Sequence, residues 1–452
     1  MGFQRKGLKS CDKPALKSRE TLVMFLENVS EVIDFMIRQH VKLHGEKPRV
    51  IASAPGRLDF LNTHQDYKGL PVVSVAINRR TYVALSISKN ESKTVSINLC
   101  EEGVPCEDTF NVDHPDLVDR GWFGNYIRSV VRALRMKGYS FEDFNLTIFS
   151  EVPVGSGLAS SAALQVSLVA GLNALFKLGL EKKDIAETAY FSEHDIMGIP
   201  CGRLDQYGSA MGGITLINTK PPFNTKTFVK KDLLFIVFDS GIRHSTGSIH
   251  PVRISELKQG VKELLLMNDL PGDLKNIIKE EIYEVEWERL SYQRLEPYLR
   301  RINQVSMKRI VFTLKMHLST ILALKLLEES SNTNTWNEVE AFLTMECEEC
   351  LGKYGVQANN FLRLLGGLVN YQHVLLRDLY EVSLPQLELI RNKALEAGSY
   401  GVKISGAGLG GSLLGLVDSR EQAVKILEHT RGLVRNAWIV SYDEGVRVDF
   451  ES

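Results

Sequence analysis

An excess of charge of either sign is missing from this 452-residue chain: 54 lysines and arginines stand against 55 aspartates and glutamates, a net of −1. Without a positive field nothing draws a polyanion such as nucleic acid or an acidic membrane surface, and a small ligand suits the composition better. Long apolar runs are missing too, since no stretch approaches the roughly 18 residues of a spanning helix. The basic start, MGFQRKGLKSCDKPALKSRE, lacks the apolar segment of a secretory signal. Asp12 and the want of an apolar face argue against a transit peptide, so 1–19 reads as a disordered basic tail. Six cysteines in so long a chain make no disulfide framework, which points to a reducing, cytoplasmic setting. The one C-x-x-C pair, Cys347 and Cys350, has no second pair to complete a zinc site and reads as coincidental. There is no internal repeat. There is no Walker phosphate loop either, because Gly352-Lys353 is followed by Tyr354, so a nucleotide would need another cradle.

What is present is globular, with 44% hydrophobic and 24% charged residues, and the length suggests two or three domains. Apolar residues at helical spacing (Leu22, Phe25, Leu26, Val29, Val32, Ile33, Met36) predict a helix over 20–44. Strands are expected at 49–54, 71–77, 81–88, 94–98 and 144–149, with a helix at 122–137. Residues 159–178 are apolar nearly all round, which predicts a buried helix. Two further runs, ITLINTK and LLFIVFD, read as a strand pair after Gly213. Helix-forming sequence then fills 254–327 and 336–378 on either side of a polar break at 330–335. The chain closes with a helix at 386–397, a glycine-rich segment at 401–415, a helix at 421–430 and a strand at 437–441. This is an α+β pattern with the strand-rich half first, divided into domains at 20–217 and 218–452.

Three segments carry chemistry. In Glu151-Val-Pro-Val-Gly155-Ser156-Gly157-Leu158-Ala-Ser160-Ser161 a strand runs through a glycine turn straight into a helix. Unpaired N–H groups and the helix dipole make such a junction an anion site suited to phosphate, and Ser160 and Ser161 add hydroxyl ligands. An ordinary glycine-serine turn with an N-cap would read the same way. The second segment, Val402-Lys-Ile-Ser-Gly406-Ala-Gly408-Leu-Gly410-Gly411-Ser412, contains a formal G-x-G-x-x-G. A strand-like run follows the glycines and the helix comes later, the wrong order for a dinucleotide fold, so a loop packing on phosphates or on neighbouring backbone fits better. The third, Arg57-Leu-Asp59-Phe-Leu-Asn62-Thr63-His64-Gln65-Asp66-Tyr67, is a dense polar stretch read as lying between strands. Glu193 and Asp205 complete the candidate acid/base and metal-binding groups, though a lone carboxylate is more often a surface charge.

In order and spacing these segments resemble the GHMP kinases, named for galactokinase, homoserine kinase, mevalonate kinase and phosphomevalonate kinase. The three motifs look like Ala54-Pro-Gly-Arg57, Pro153-x-x-x-Gly157-Leu-x-Ser160-Ser161-Ala162 and Ser405-Gly-Ala-Gly-Leu-Gly-Gly411. The galactokinase branch is resembled further in 54–67, in Asn125-Tyr126-Ile-Arg, in Glu193-His194, in Pro200-Cys-Gly-Arg-Leu-Asp205-Gln206, in Ile242-Arg-His244-Ser and in 376–386. The resemblance implies a two-domain α+β GHMP kinase fold with its active site in the cleft between domains. It implies ATP phosphates cradled by Gly155, Ser156, Gly157, Leu158, Ser160 and Ser161, and Mg²⁺ held by Ser161 and Glu193. Asp205 would take or stabilise the proton of the anomeric hydroxyl, Arg57 would stabilise the oxyanion and the transferring phosphate, and Thr63, His64, Asp66, Gly202 and His250 would meet the sugar.

The family's Gly-Glu-His-Thr-Asp-Tyr is Asn62-Thr63-His64-Gln65-Asp66-Tyr67 here, its Tyr-Pro-Val-Arg is His250-Pro-Val-Arg253, and the helical block at 336–372 is longer than usual. The glutamate that Thr63 replaces looks like the partner of the sugar's 6-hydroxyl. Thr63 is therefore expected to open the pocket at C6, favouring galacturonate, with its carboxylate toward His250, or arabinose as alternatives to galactose, unless Gln65 or His250 replaces the lost contact or the loop brings Asp59 or Gln65 into the gap. A catalytically silent sugar and ATP sensor is a rival reading, opposed by the presence of Ser160, Ser161, Ala162 and Asp205. A kinase for mevalonate or homoserine is opposed by the His64/Asp66 pair.

Overall fold

Residues 28–100, 106–119, 121–230, 232–242, 249–352 and 360–452 are described by a computed structural model. The tail at 1–19, the first part of the helix expected from residue 20, Arg243-His244-Ser245 and Lys353-Tyr354 lie outside the described residues.

Twelve strands among the described residues form two sheets: β1 (Val50–Leu61), β2 (Val72–Ile87), β3 (Ser92–Ser96), β4 (Glu107–Phe110), β5 (Phe144–Ser150), β6 (Ile214–Ile217), β7 (Thr225–Phe228), β8 (Leu234–Asp239), β9 (Gly401–Ser405), β10 (Ser412–Val417), β11 (Asn436–Ser441) and β12 (Arg447–Glu451). The larger sheet runs β12-β1-β2-β5-β3-β4, with β6 also on β2 and β7 on β6. The smaller runs β11-β8-β10-β9 and is antiparallel throughout.

Four sequence expectations change. The polar stretch from Arg57 does not begin between strands, because β1 continues to Leu61 and is buried along its whole length. The expected strands at 71–77 and 81–88 are one strand. The strand runs unbroken through Asn78-Arg79-Arg80, and Arg80 is held inside by Ser53, Asp443 and the Gly445 carbonyl. ITLI and LFIVFD are strands but not partners: β6 pairs with the first part of β2, whereas β8 sits between β10 and β11 in the other sheet. Cys347 and Cys350 are joined by a disulfide, as are Cys100 and Cys106. A helix ends at Cys347 and a tight turn over Glu348–Leu351 brings the first pair's Cα atoms to 5.4 Å.

Helix Val29–His44 starts where the Asn28 side chain accepts from the Glu31 N–H, and it lays Val32 and Met36 on Ile51, Tyr82 and Phe149. The all-apolar helix Ser160–Phe176 is buried on every side, as its composition requires, against β1, β2 and the helix Asn125–Met136. Helix Gln304–Glu328 is long and apolar enough by composition to cross a membrane, with mean hydropathy 1.6, but 78% of that window is packed inside the protein. The largest core passes from one sheet to the other: Leu58, Phe60 and Val73 meet Phe235, Phe238 and Phe312, with the Phe60 and Phe235 rings 5.6 Å apart edge to face.

Helix Asn360–Asp378 lies on β9 through a glycine contact. A Cβ on Gly366 would collide with the Tyr400 carbonyl, and one on Gly401 with the Gly366 carbonyl. Gly366→Ala should therefore destabilise the protein by about 1–3 kcal/mol, the cost of overpacking. Gly272→Ala, which meets nothing within 4 Å, is the control. Equal denaturant midpoints for the two variants would show that this contact has room to spare.

Candidate active site

Strand β1 keeps β2 as its partner through Arg57, but its register shifts between Pro55 and Arg57 and again between Asp59 and Leu61. The Arg57 N–H faces away from β2 and donates to the Leu158 carbonyl at 3.1 Å. The guanidinium continues the link: Nη1 donates to the Gly157 carbonyl at 2.6 Å, and Nε and Nη2 both donate to Asp205 Oδ1, at 2.9 and 2.6 Å. One buried arginine thus joins the strand, the glycine turn and the helix Leu204–Met211, whose first turn carries Asp205.

The glycine turn leads into Ser160 through Ala159 in a left-handed conformation, with Gly155 and Gly157 also at positive φ. No side chain caps that helix, so its first N–H groups remain available to an anion. Ser156 donates to the Pro153 carbonyl and Leu158 belongs to the core, so only their backbones are on offer there. The second glycine loop meets the first where Ser412 donates to the Ser156 carbonyl at 2.5 Å, and Leu409 N donates to Val382 O.

Between these loops and the end of β1 lies a cavity of about 490 Å³, lined among others by Arg57, Asp59, Thr63, His64, Asp66, Ser160, Ser161, Gly202, Asp205 and His250. Gly202 packs against Asp66 so closely that a Cβ would strike Oδ2. Burial pushes the Asp66 carboxyl up, and the neighbouring Asp205 adds to it. His64 sits at φ +65°, and both its ring nitrogens face protein partners, Nε2 toward the Ala407 carbonyl at 3.0 Å and Nδ1 toward the Tyr67 hydroxyl at 3.4 Å. Burial holds His64 well below its ordinary pKa and lowers His250 as well; their rings meet edge to face at 5.2 Å. Glu193 is buried behind Ser161 on a π-helical turn and accepts from Gln206 Nε2 at 2.7 Å. Its carboxyl is pushed up to about 7 by burial and by Asp205, against a hydrogen bond from Ser161.

The expected site residues therefore gather around one cavity, with Glu193 just behind its wall. Three more groups stand beside it, two of them passed over by sequence reasoning. Lys403 is fully buried at the base of the second loop. Asp59, in the sequence part of a polar stretch and one of two residues able to fill the gap at C6, lines the cavity. Lys68, also fully buried, donates to Thr313 Oγ1 at 3.0 Å and sits 4.7 Å from the Phe312 ring and 4.9 Å from that of Tyr380, whose hydroxyl is bonded to Tyr67. The available signal was a lysine inside an apolar strand, Val402-Lys403-Ile404, beside a glycine loop.

Comparison with known proteins agrees with this arrangement. The chain matches the GHMP kinases N terminal domain over 125–213, the galactokinase galactose-binding signature over 38–87 and the GHMP kinases C terminal domain over 356–431. It is 28% identical to a galactokinase of Roseiflexus sp. (strain RS-1) across 84% of this chain and 86% of that protein. It is 28% identical to one of Haemophilus influenzae (strain PittGG) across 94% and 99%. Among solved structures, Lactococcus lactis galactokinase complexed with galactose superposes with a TM-score of 0.73 at 19% identity, covering 92% of this chain and 99% of the other. Methanococcus jannaschii mevalonate kinase superposes at 0.58 and 17% identity, covering 89% and 100%.

Lys68 generates a stability prediction. Burial drives its pKa well below the ordinary lysine value, so above that lowered pKa the unfolded chain binds the extra proton. Stability from this group must then rise with pH until the unfolded lysine itself titrates. From pH 7 to pH 9 the wild type should therefore gain stability relative to Lys68→Met. Urea unfolding at both pH values measures it, and parallel curves would mean that Lys68 is charged in the fold.

Proposed function

We propose a function from this premise: the chain belongs to the GHMP kinases and carries the galactokinase-type galactose-binding signature. It is an ATP-dependent sugar 1-kinase that phosphorylates the anomeric hydroxyl of galactose. The observation that carries this reading is the double grip of Arg57, which sets an acid beside a phosphate cradle.

Asp205 Oδ1 is occupied by two N–H groups of Arg57, which leaves Oδ2 to accept the anomeric proton as that oxygen attacks. The same guanidinium lies where the charge of the transferring phosphoryl group develops, and it keeps its position through the Gly157 carbonyl. The N–H groups of the 155–161 turn, with Ser160 and Ser161, hold the ATP phosphates. Ser161 and Glu193 suit Mg²⁺, which takes few protein ligands beside substrate phosphates. A carboxyl buried next to Asp205 and pushed up to about 7 is also a group that a cation would relieve. The metal would supply charge neutralisation between the phosphates.

On the sugar side, Asp66, held by Gly202, accepts from ring hydroxyls, His64 and His250 shape the wall, and Thr63 stands at the C6 end. Because burial keeps the His250 imidazole neutral, a C6 carboxylate would find no cation there, so galactose fits this pocket better than galacturonate. Ser160, Ser161 and Asp205 all reach the cavity, which favours turnover over a silent sensor.

Coupled detection of ADP release across a sugar panel tests the activity. Galactose should be turned over, and Asp205→Asn should lose at least ~10²-fold in kcat with its fold intact, the lower range for removing a general base. Sugar binding without turnover would move the assignment to a sensor.

A further inference from the structure

Thr63 is the middle of a directed hydrogen-bond chain. Lys403 Nζ donates to Thr63 Oγ1 at 2.8 Å, and Thr63 Oγ1 donates to Asp59 Oδ1 at 3.0 Å. The direction is fixed by chemistry, because an ammonium has only protons to give and the threonine hydroxyl has one. Lys403 also donates to the main-chain carbonyl of Asp59 at 2.9 Å, yet makes no ion pair with the Asp59 carboxylate among the described residues. The hydroxyl is therefore the link between the two charges.

Asp59 lines the cavity, 4% exposed, and its second oxygen, Oδ2, has no hydrogen-bond partner among the described residues. Oδ2 is also absent from the buried unpartnered atoms, so it is not sealed in the core. Burial pushes the Asp59 carboxyl up, while Lys403, Arg57 and the hydrogen bond from Thr63 act against that shift and favour the carboxylate. Among the described residues nothing else bonds to Oδ2. What the wall offers a ligand at this point is a charge-supported acceptor, which calls for a hydroxyl donor.

We propose that Asp59 determines specificity by accepting a hydrogen bond from the sugar's 6-hydroxyl, with Thr63 and Lys403 as the positioning residues behind it. This rests on the galactose 1-kinase reading of the same cavity. Galacturonate and arabinose, expected from Thr63 alone to gain, lose instead. A C6 carboxylate would face Asp59 as a like charge, and arabinose leaves Oδ2 unpaired. The neutral His250 imidazole does nothing to rescue the acid.

The test compares galactose, 6-deoxygalactose, arabinose and galacturonate as substrates of the wild type, Asp59→Asn, Thr63→Val and Thr63→Ser, with kcat and KM resolved. The wild type should prefer galactose to 6-deoxygalactose by about tenfold or more, the range for a hydrogen bond to a charged group. It should use galacturonate least. Asp59→Asn should collapse the preference through a higher KM for galactose, with kcat little changed. Thr63→Val should weaken the preference and Thr63→Ser should preserve it. A folded Asp59→Asn enzyme with the wild-type ratio overturns the proposal. So does a wild type that turns over galacturonate or 6-deoxygalactose as well as galactose, a measurement that stands even if the variant does not fold. Absence of turnover with every sugar instead removes the kinase reading beneath it.

Discussion

The site depends on one residue being unable to move. Arg57 gives its backbone N–H to Leu158, one guanidinium nitrogen to Gly157 and two to Asp205, so strand, glycine turn and helix are set against each other by a single buried cation. A lysine has neither the planar fork nor the donor count to hold these groups at once. The Arg57 N–H is free for its bond to Leu158 because Ala76, its cross-strand partner on β2, turns its own N–H and carbonyl away from β1, to Gly213 and Asp443. Phosphoryl transfer, the reaction proposed for this site, consists mainly of placement and charge stabilisation, and a joint of this kind suits both.

A second buried cation acts in parallel. Lys403 comes from β9 in the smaller sheet and reaches Asp59 and Thr63 at the end of β1 in the larger one. Ser405 of the same strand accepts from the Asp59 N–H at 3.0 Å. With the apolar core running unbroken from Phe60 to Phe235, the two sheets are tied by packing and by polar contacts that end at the cavity wall. The sugar end of the site is thus built from residues more than three hundred positions apart in the chain.

Much of this was legible in the sequence, and what was not has identifiable causes. The buried helix at 160–176 announced itself by being apolar all round, and the glycine turn before it by its strand-to-helix setting. Arg57, Asp205, Glu193 and the serines could be named because they stand inside short motifs of fixed spacing. Lys403, and its link to Asp59, could not. Each looks like an isolated charge, and their relation exists only where β1 and β9 meet. The split of ITLI and LFIVFD between two sheets was hidden for the same reason, because periodicity reveals that a segment is a strand and says nothing of its neighbour. In the sequence Thr63 reads only as a lost carboxylate; that its hydroxyl stands between Lys403 and Asp59 is visible only in the fold.

Strand β12 lies along the open side of β1, pairing Val50 with Glu451 and Ser53 with Arg447. A growing chain emerging from a ribosome therefore makes the strand that bears Arg57 early and its outer neighbour some four hundred residues later, at rates of roughly 5–20 residues per second. For that interval, on the order of half a minute, β1 has an unpaired edge, the kind of surface at which nascent chains associate wrongly. Arg80, buried from the start of its strand, also waits for Asp443 and the Gly445 carbonyl to satisfy its guanidinium. The half of the molecule made first is thus the half completed last, and this protein's exposure to misassembly is set by the time needed to synthesise the chain between β1 and β12 as much as by the stability of its finished core.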